Sequence, residues 1–190
     1  IFNVVTTEGR IVGAVAGHYI VAHDRARAMV DAIDGVEISE KADLVIASAG
    51  GSPKDVNLYQ SIKTLINARE AAKPGGSIII LTESPEGLGG DADVQDIILN
   101  YNSVVEREDA LRQNYSISKY VGYYFCETAA KFDLILVSSL DPDLLKTANI
   151  TVVRTLDEAL NLVWAKRGKD LSTYVMPHGA NTLPKLKARR

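Results

Sequence analysis

The sequence predicts an α/β fold, a three-layer sandwich on a mainly parallel sheet, with a β-hairpin at the N-terminus. Short, unbroken apolar runs occur at residues 43–47, 77–81, 134–137 and 150–153, the pattern of strands buried on both faces. Segments with helical spacing of apolar residues separate them. Such alternation reads as β-α-β units with right-handed crossovers. Residues 1–17 read differently, as two strand-like runs about a turn.

In the hairpin, residues 1–5 and 11–15 flank the turn Thr7-Glu8-Gly9-Arg10. An isolated hairpin is marginal in water, so this one is expected to pack on something outside the main core. Residues 22–33 read as a helix that stops near Gly35. The first buried strand, 43–47, leads through Gly50-Gly51-Ser52-Pro53 into a helix over 56–72. Pro74-Gly75-Gly76 turns the chain into the second strand, 77–81. The loop Pro85-Glu86-Gly87-Leu88-Gly89-Gly90 precedes helical segments over 92–100, 104–113 and 117–131. The third strand is 134–137, Asp141-Pro142-Asp143 opens a short helix, and the fourth strand is 150–153. Thr155 can cap a helix over 156–167, and 173–176 forms a last strand. The expected division is the end of a preceding domain at 1–38, an α/β domain at 39–176 and a C-terminal tail at 177–190. The chain opens on Ile1 rather than Met and runs straight into a strand, which suggests a piece of a longer protein.

Composition narrows the function classes. With 46% hydrophobic and 24% charged residues, the chain is an ordinary globular domain. A net charge of -3 favours neither nucleic acid nor an anionic membrane, and no stretch is long and apolar enough to span a bilayer. The basic end, Lys185-Leu186-Lys187-Ala188-Arg189-Arg190, reads as a solvated tail. Cys126 is the single cysteine, so no intrachain disulfide can form and a reducing, cytoplasmic compartment is expected. It lies in Tyr123-Tyr124-Phe125-Cys126, an apolar run that suits a core thiol better than a nucleophile. His18 and His23 are five residues apart and do not share a helical face. No metal site built by this chain alone is expected. His178, in Met176-Pro177-His178-Gly179, reads as structural or as facing another domain.

Ligands of open α/β sheets bind beyond the carboxyl ends of the strands. Two loops there have unusual composition. In the first, Gly50 and Gly51 let the backbone approach a ligand, and Asp55 closes the loop before the helix. On that helix Leu58, Ile62, Leu65, Ile66 and Ala72 share an apolar face. Arg69 falls on the same face and fits only if its stem lies along it and its head reaches water or a carboxylate. Gln60, Lys63 and Asn67 cluster on the opposite side, with Tyr59 at the border. Free N–H groups at the helix start would add partial positive charge. Lys63 as a point charge, Gln60 as donor and acceptor and Tyr59 as donor suit a small carboxylate. The bland alternative is a solvent-exposed helix face. The second loop carries Glu83, Glu86 and Asp91, which would repel a pyrophosphate, and no Gly-Lys-Ser/Thr follows it. It reads as a lid, a partner-facing loop or a ligand loop.

The segment Gly50-Gly51-Ser52-Pro53-Lys54-Asp55-Val56-Asn57-Leu58-Tyr59-Gln60-Ser61-Ile62-Lys63 resembles the Gly-Gly-x-Pro-x-Asp-x-Asn-x-Tyr-Gln-x-x-Lys signature of the nickel-dependent lactate racemase family. All its fixed residues are present without gaps. Gly75-Gly76-Ser77-Ile78-Ile79-Ile80, residues 83–89 and the Pro-His-Gly near the end agree more loosely, as does the His18 to His23 region with the end of the family's first domain. The resemblance implies a two-domain racemase or epimerase of 2-hydroxyacids that uses a nickel pincer nucleotide. The pincer takes a hydride from the α-carbon and returns it to either face. The first domain, absent here, would supply the cofactor lysine, the nickel ligand and the acid/base histidines. This chain would be the C-terminal domain, with Tyr59, Gln60 and Lys63 binding substrate. The family's Gly-x-His-Lys stretch matches Ser116-Ile117-Ser118-Lys119 only at Lys119, and its tryptophan near the cofactor aligns with Tyr123 or Tyr124 rather than Trp164. Lys119 and Tyr123 therefore join the candidate substrate-binding residues, and which hydroxyacid is used stays open. No catalytic residue, metal or bound cofactor is expected on this chain, which alone should be inactive. Its expected partners are a small 2-hydroxy carboxylate and the N-terminal domain, with no nucleic acid and no membrane. The competing class is a non-catalytic α/β module binding an acidic metabolite or nucleotide. That class calls for a phosphate-binding glycine loop, which this sequence lacks.

Overall fold

The computed structural model describes residues 1–7 and 9–187. Its centre is a five-stranded sheet of β4 (Ala42–Ser48), β5 (Ala72–Leu81), β6 (Asp133–Val137), β7 (Thr151–Val153) and β8 (Thr173–Met176). The spatial order is β7-β6-β5-β4-β8, and every pairing is parallel. β4 hands on to β5 through α2 (Leu58–Ala71), and β5 to β6 through α3 (Ala92–Leu99), α4 (Val104–Gln113) and α5 (Ile117–Lys131). A 3-10 helix, Pro142–Ala148, joins β6 to β7. α6 (Leu156–Arg167) then carries the chain back across the sheet to β8 on the far side of β4.

That reversal sorts the helices by face, because right-handed crossovers running in opposite directions lie on opposite sides. Val45, Ile78, Ile80 and Leu136 meet Leu58 and Leu65 of α2, Ile97 of α3 and Phe125 of α5. On the other face Leu44, Ile79 and Ile135 meet Ala159 and Val163 of α6. The predicted sandwich and buried parallel strands are therefore present. Cys126 lies in the larger core, and burial pushes its thiol up to about 11. Among the described residues no helix is long and apolar enough to cross a membrane.

The hairpin is β1 (Phe2–Thr7) against β2 (Arg10–Ala16), antiparallel. α1 (Tyr19–Asp34) covers one side of it, with Met29 against Gly13. Phe2, Ile11 and Tyr19 stay 71%, 68% and 62% exposed.

The structure departs from the sequence reading at the two ends of the α/β unit. Gly35–Ile38 is a strand, β3, and it pairs in parallel with β9, Leu183–Leu186. Lys185 makes an ion pair with Asp31 of α1 at 2.5 Å and Lys187 N–H donates to the Ile38 carbonyl at 3.0 Å, so the basic end is docked on β3 and α1 as far as residue 187 rather than solvated throughout. Residues 188–190 of the expected tail lie outside the described residues. Ahead of β9, a 3-10 turn, Gly179–Asn181, lies against α2.

Candidate functional site

The N-terminal end of α2 stands at the carboxyl ends of β4 and β5. β4 stops at Ser48, and the chain turns through Gly50 and Gly51 at φ +93° and +79°. The second loop, from Thr82 to Asp91, then folds back along it. Ser84 N–H donates to the Asp55 carbonyl (2.8 Å) and Glu86 N–H to that of Val56 (2.9 Å). Leu58 N–H donates to the Gly87 carbonyl (3.1 Å) and Tyr59 N–H to that of Leu88 (2.9 Å). Asn57 caps the helix, its side-chain oxygen accepting from Gln60 N–H at 3.0 Å, while its amide donates to Glu86 at 3.2 Å.

These bonds correct one expectation. The first-turn N–H groups of α2 are not free, because carbonyls of the 82–91 loop and Asn57 already accept from them. Backbone anion binding at this helix end is used up, and recognition of a carboxylate falls to side chains. The glycines of the loop make the contact possible. A Cβ on Gly90 would sit 2.5 Å from Val94 Cγ2 and 3.1 Å from the Tyr59 ring. Tyr59 is thus wedged, half-buried, between this loop and the core.

Of the three candidates on α2, Gln60 and Lys63 meet, while no hydrogen bond joins the Tyr59 side chain to either among the described residues. Lys63 Nζ is exposed and donates to Gln60 Oε1 at 3.1 Å. Asn67 is not part of the group. It is buried, and its amide donates to the Gly179 carbonyl at 2.8 Å. Thr64 lies under the same turn, with a hydroxyl that finds no partner among the described residues. Ile66, counted on the apolar face, is 38% exposed. Arg69 resolves as anticipated: its guanidinium forks onto Glu127 and lies over the Tyr124 ring, 4.9 Å from the centroid.

Lys119 and Tyr123 are engaged elsewhere. Lys119 is buried with its ammonium 3.6 Å from Asp96 and 3.9 Å from Asp93, both on α3. Ser116 and Ser118 reach Asp93 (2.6 Å) and Asp91 (2.9 Å), which lashes the start of α5 to α3. Tyr123 points toward α4, its hydroxyl 3.5 Å from Glu108. Burial and then the Glu108 charge push its phenol up. The α5 aromatic that meets α2 is Tyr124, beneath the Arg69 guanidinium, with the ring of Tyr120, 41% exposed, 6.1 Å from it.

Two further features escaped the sequence reading. A cavity of about 390 Å³ opens at the carboxyl ends of β4 to β7, with Ser48, Asp55, Glu83, Ser139 and Arg154 in its wall. Arg154 Nη1 is anchored on the carbonyls of Ser138 (2.6 Å) and Leu140 (3.0 Å). Its place directly after β7 was the only available signal. The second feature is a buried run of hydroxyls, Ser61, Thr82 and Ser84. Their residue types alone predict nothing. His18, His23 and His178 are exposed and scattered, and among the described residues no three His, Cys, Asp or Glu side chains converge as a metal site.

The profile of the lactate racemase C-terminal domain family matches residues 37–183. The chain belongs to that family. It is 30% identical to a lactate racemase of Lactiplantibacillus plantarum over 97% of the chain and 45% of that protein. It is 29% identical to a lactate racemase of Thermoanaerobacterium thermosaccharolyticum, over 97% of the chain and 44% of the relative. The domain superposes on the lactate racemase apoprotein from Thermoanaerobacterium thermosaccharolyticum with a TM-score of 0.84 at 28% identity, covering 97% of the chain and 45% of that structure. A Thermotoga maritima protein matches at a TM-score of 0.55 and 15% identity, over 88% of the chain and 42% of its own, which speaks to the fold alone. The chain thus spans less than half the length of the curated relatives it matches.

Proposed function

We propose that this domain binds the carboxylate of a small 2-hydroxyacid at the start of α2 and closes it against an N-terminal domain, in an enzyme that racemises or epimerises that acid. Lys63 supplies the positive charge, Gln60 orients it and offers a further donor, and the Tyr59 hydroxyl donates from the wedge beneath the 82–91 loop. One observation carries the reading. Lys63 projects, exposed and without a carboxylate partner among the described residues, from a helix end whose backbone donors are already taken. A charge held there suits an incoming anion. Lys119 and Tyr123 stay in the proposal only as residues that fix α5 beside the site.

The N-terminal domain is supported by the length of the relatives and by the apolar surface that Phe2, Ile11 and Tyr19 leave uncovered. A nickel pincer nucleotide would supply the hydride acceptor. The described residues offer no converging ligand set for nickel, so this chain does not fit as the holder of that group. The domain's own part is to bind, orient and shield the substrate.

The test is to load the full-length protein with the cofactor and assay D- and L-2-hydroxyacids by chiral chromatography. Racemisation of one acid, lost in the isolated domain, is the expected result. Absence of turnover on every acid despite bound cofactor would sink the proposal.

A further inference from the structure

The 82–91 loop is tied to α2 by a chain of hydroxyls that the substrate-binding residues themselves do not explain. Ser61, Thr82 and Ser84 are all buried, at 0%, 2% and 2% exposure. Ser61 Oγ lies 2.5 Å from Thr82 Oγ1, which lies 3.0 Å from Ser84 Oγ. Ser61 Oγ also donates to the Asn57 carbonyl at 3.2 Å. Each hydroxyl has one proton, so this last bond sets the direction of the rest. Thr82 donates to Ser61, and Ser84 donates to Thr82. Every donor is satisfied, and the chain runs from the loop to the residue that caps α2.

Its two ends are the sensitive points. Ser84 holds a left-handed backbone, φ +53°, which a non-glycine residue adopts only when its surroundings impose it. From there the loop reaches the carbonyls that receive Leu58 and Tyr59 N–H. At the other end Asn57 is pinned from above, since a Cβ on Gly89 would meet Asn57 Cγ at 2.1 Å. Thr82 sits in the middle, at the carboxyl end of β5, with its own N–H bonded to the Val137 carbonyl at 3.0 Å. It links the sheet to the 82–91 loop and to the first turn of α2.

We infer that Thr82 is a positioning residue, whose hydroxyl locks the 82–91 loop onto the first turn of α2 and thereby fixes the orientation of Tyr59 and Gln60 toward substrate. The inference rests on the proposed function for what the orientation serves, but not for the lock itself. At 2% exposure the Thr82 hydroxyl is spent on its neighbours, and it acts through Ser61, Ser84 and the loop.

The experiment compares wild type, Thr82→Val and Thr82→Ser in the full-length protein. Valine keeps the shape and removes the hydroxyl, and serine keeps the hydroxyl. Amide hydrogen exchange of the segment holding Leu58 and Tyr59 is read first, with no ligand needed. Thr82→Val should speed it by about tenfold or more while distant core amides keep their rates, and Thr82→Ser should restore it. Kinetics on the acid that the wild type turns over should then show KM raised about tenfold, with kcat changed far less. Unchanged exchange in Thr82→Val overturns the inference, and so does faster exchange with unchanged KM. If the wild type turns over no hydroxyacid, the proposed function has failed and the exchange result alone decides the lock. Should Thr82→Val not fold, Ser61→Ala breaks the same chain from the helix side and is read the same way.

Discussion

Replacing Lys63 by alanine removes a cation that contributes little to the fold. Its side chain is exposed and its one bond among the described residues is to Gln60, its neighbour on the same helix. Changes at such positions usually move stability by less than about 0.5 kcal/mol. The Tm should therefore stay where it is. Substrate binding should not. A hydrogen bond to a charged group is worth about 1.5–3 kcal/mol, which is roughly 10–150-fold in an equilibrium constant. Backbone donors at the start of α2 are committed to Gly87, Leu88 and Asn57, so they cannot stand in for the lost ammonium. The effect should fall toward the upper end, about a hundredfold in KM. The assay is initial racemisation rate against substrate concentration in the cofactor-loaded, full-length protein, with the melting curve as control. A KM within about twofold of wild type, at unchanged Tm, would remove Lys63 from the site and with it the reading of this helix end.

Other consequences follow from the same geometry. Arg107 is 2% exposed and donates to the carbonyls of Ile97, Ile98, Tyr101 and Thr147; it closes the C-terminal end of α3, where carbonyls are otherwise orphaned. Arg107→Leu should cost at least about 3 kcal/mol and lower Tm by roughly 6–12 °C; a shift under about 2 °C would show the carbonyls find other partners. Hydrogen bonds from Ser172 and Lys73 hold the Asp43 carboxyl down to about 2 from its ordinary 3.8. A depressed folded-state value gives stability that is present above 3.8 and lost as pH falls toward about 2. Asp43→Asn should flatten the urea midpoint across that window, and an unchanged acid limb would discount the contact. Cys126, with its thiol pushed up to about 11 and only 2% exposed, should resist iodoacetamide in the native protein at neutral pH and react on unfolding. Rapid native labelling would contradict its place in the core.

Much of this fold was readable from local pattern. The four apolar runs became β4 to β7 because a strand buried on both faces needs an unbroken apolar stretch, and residues 173–176 became β8. Thr155 caps its helix as read, and Asn57 starts α2 two residues later than spacing alone suggested. Even Arg69 was legible, since a guanidinium on an apolar face needs a carboxylate, and Glu127 supplies it. That Gln60 and Lys63 face the same way was legible from helical periodicity, and the two are hydrogen-bonded. What the sequence could not show were facts about which distant segment covers which surface. β3 and β9 pair across opposite ends of the domain, and neither has a local signal. Asn67 looks like a member of the polar face until the turn at Gly179 buries it. Lys119 looks like a free cation until α3 brings Asp93 and Asp96 beside it. Periodicity along one helix fixes directions, while burial and charge pairing depend on neighbours that only the folded chain supplies.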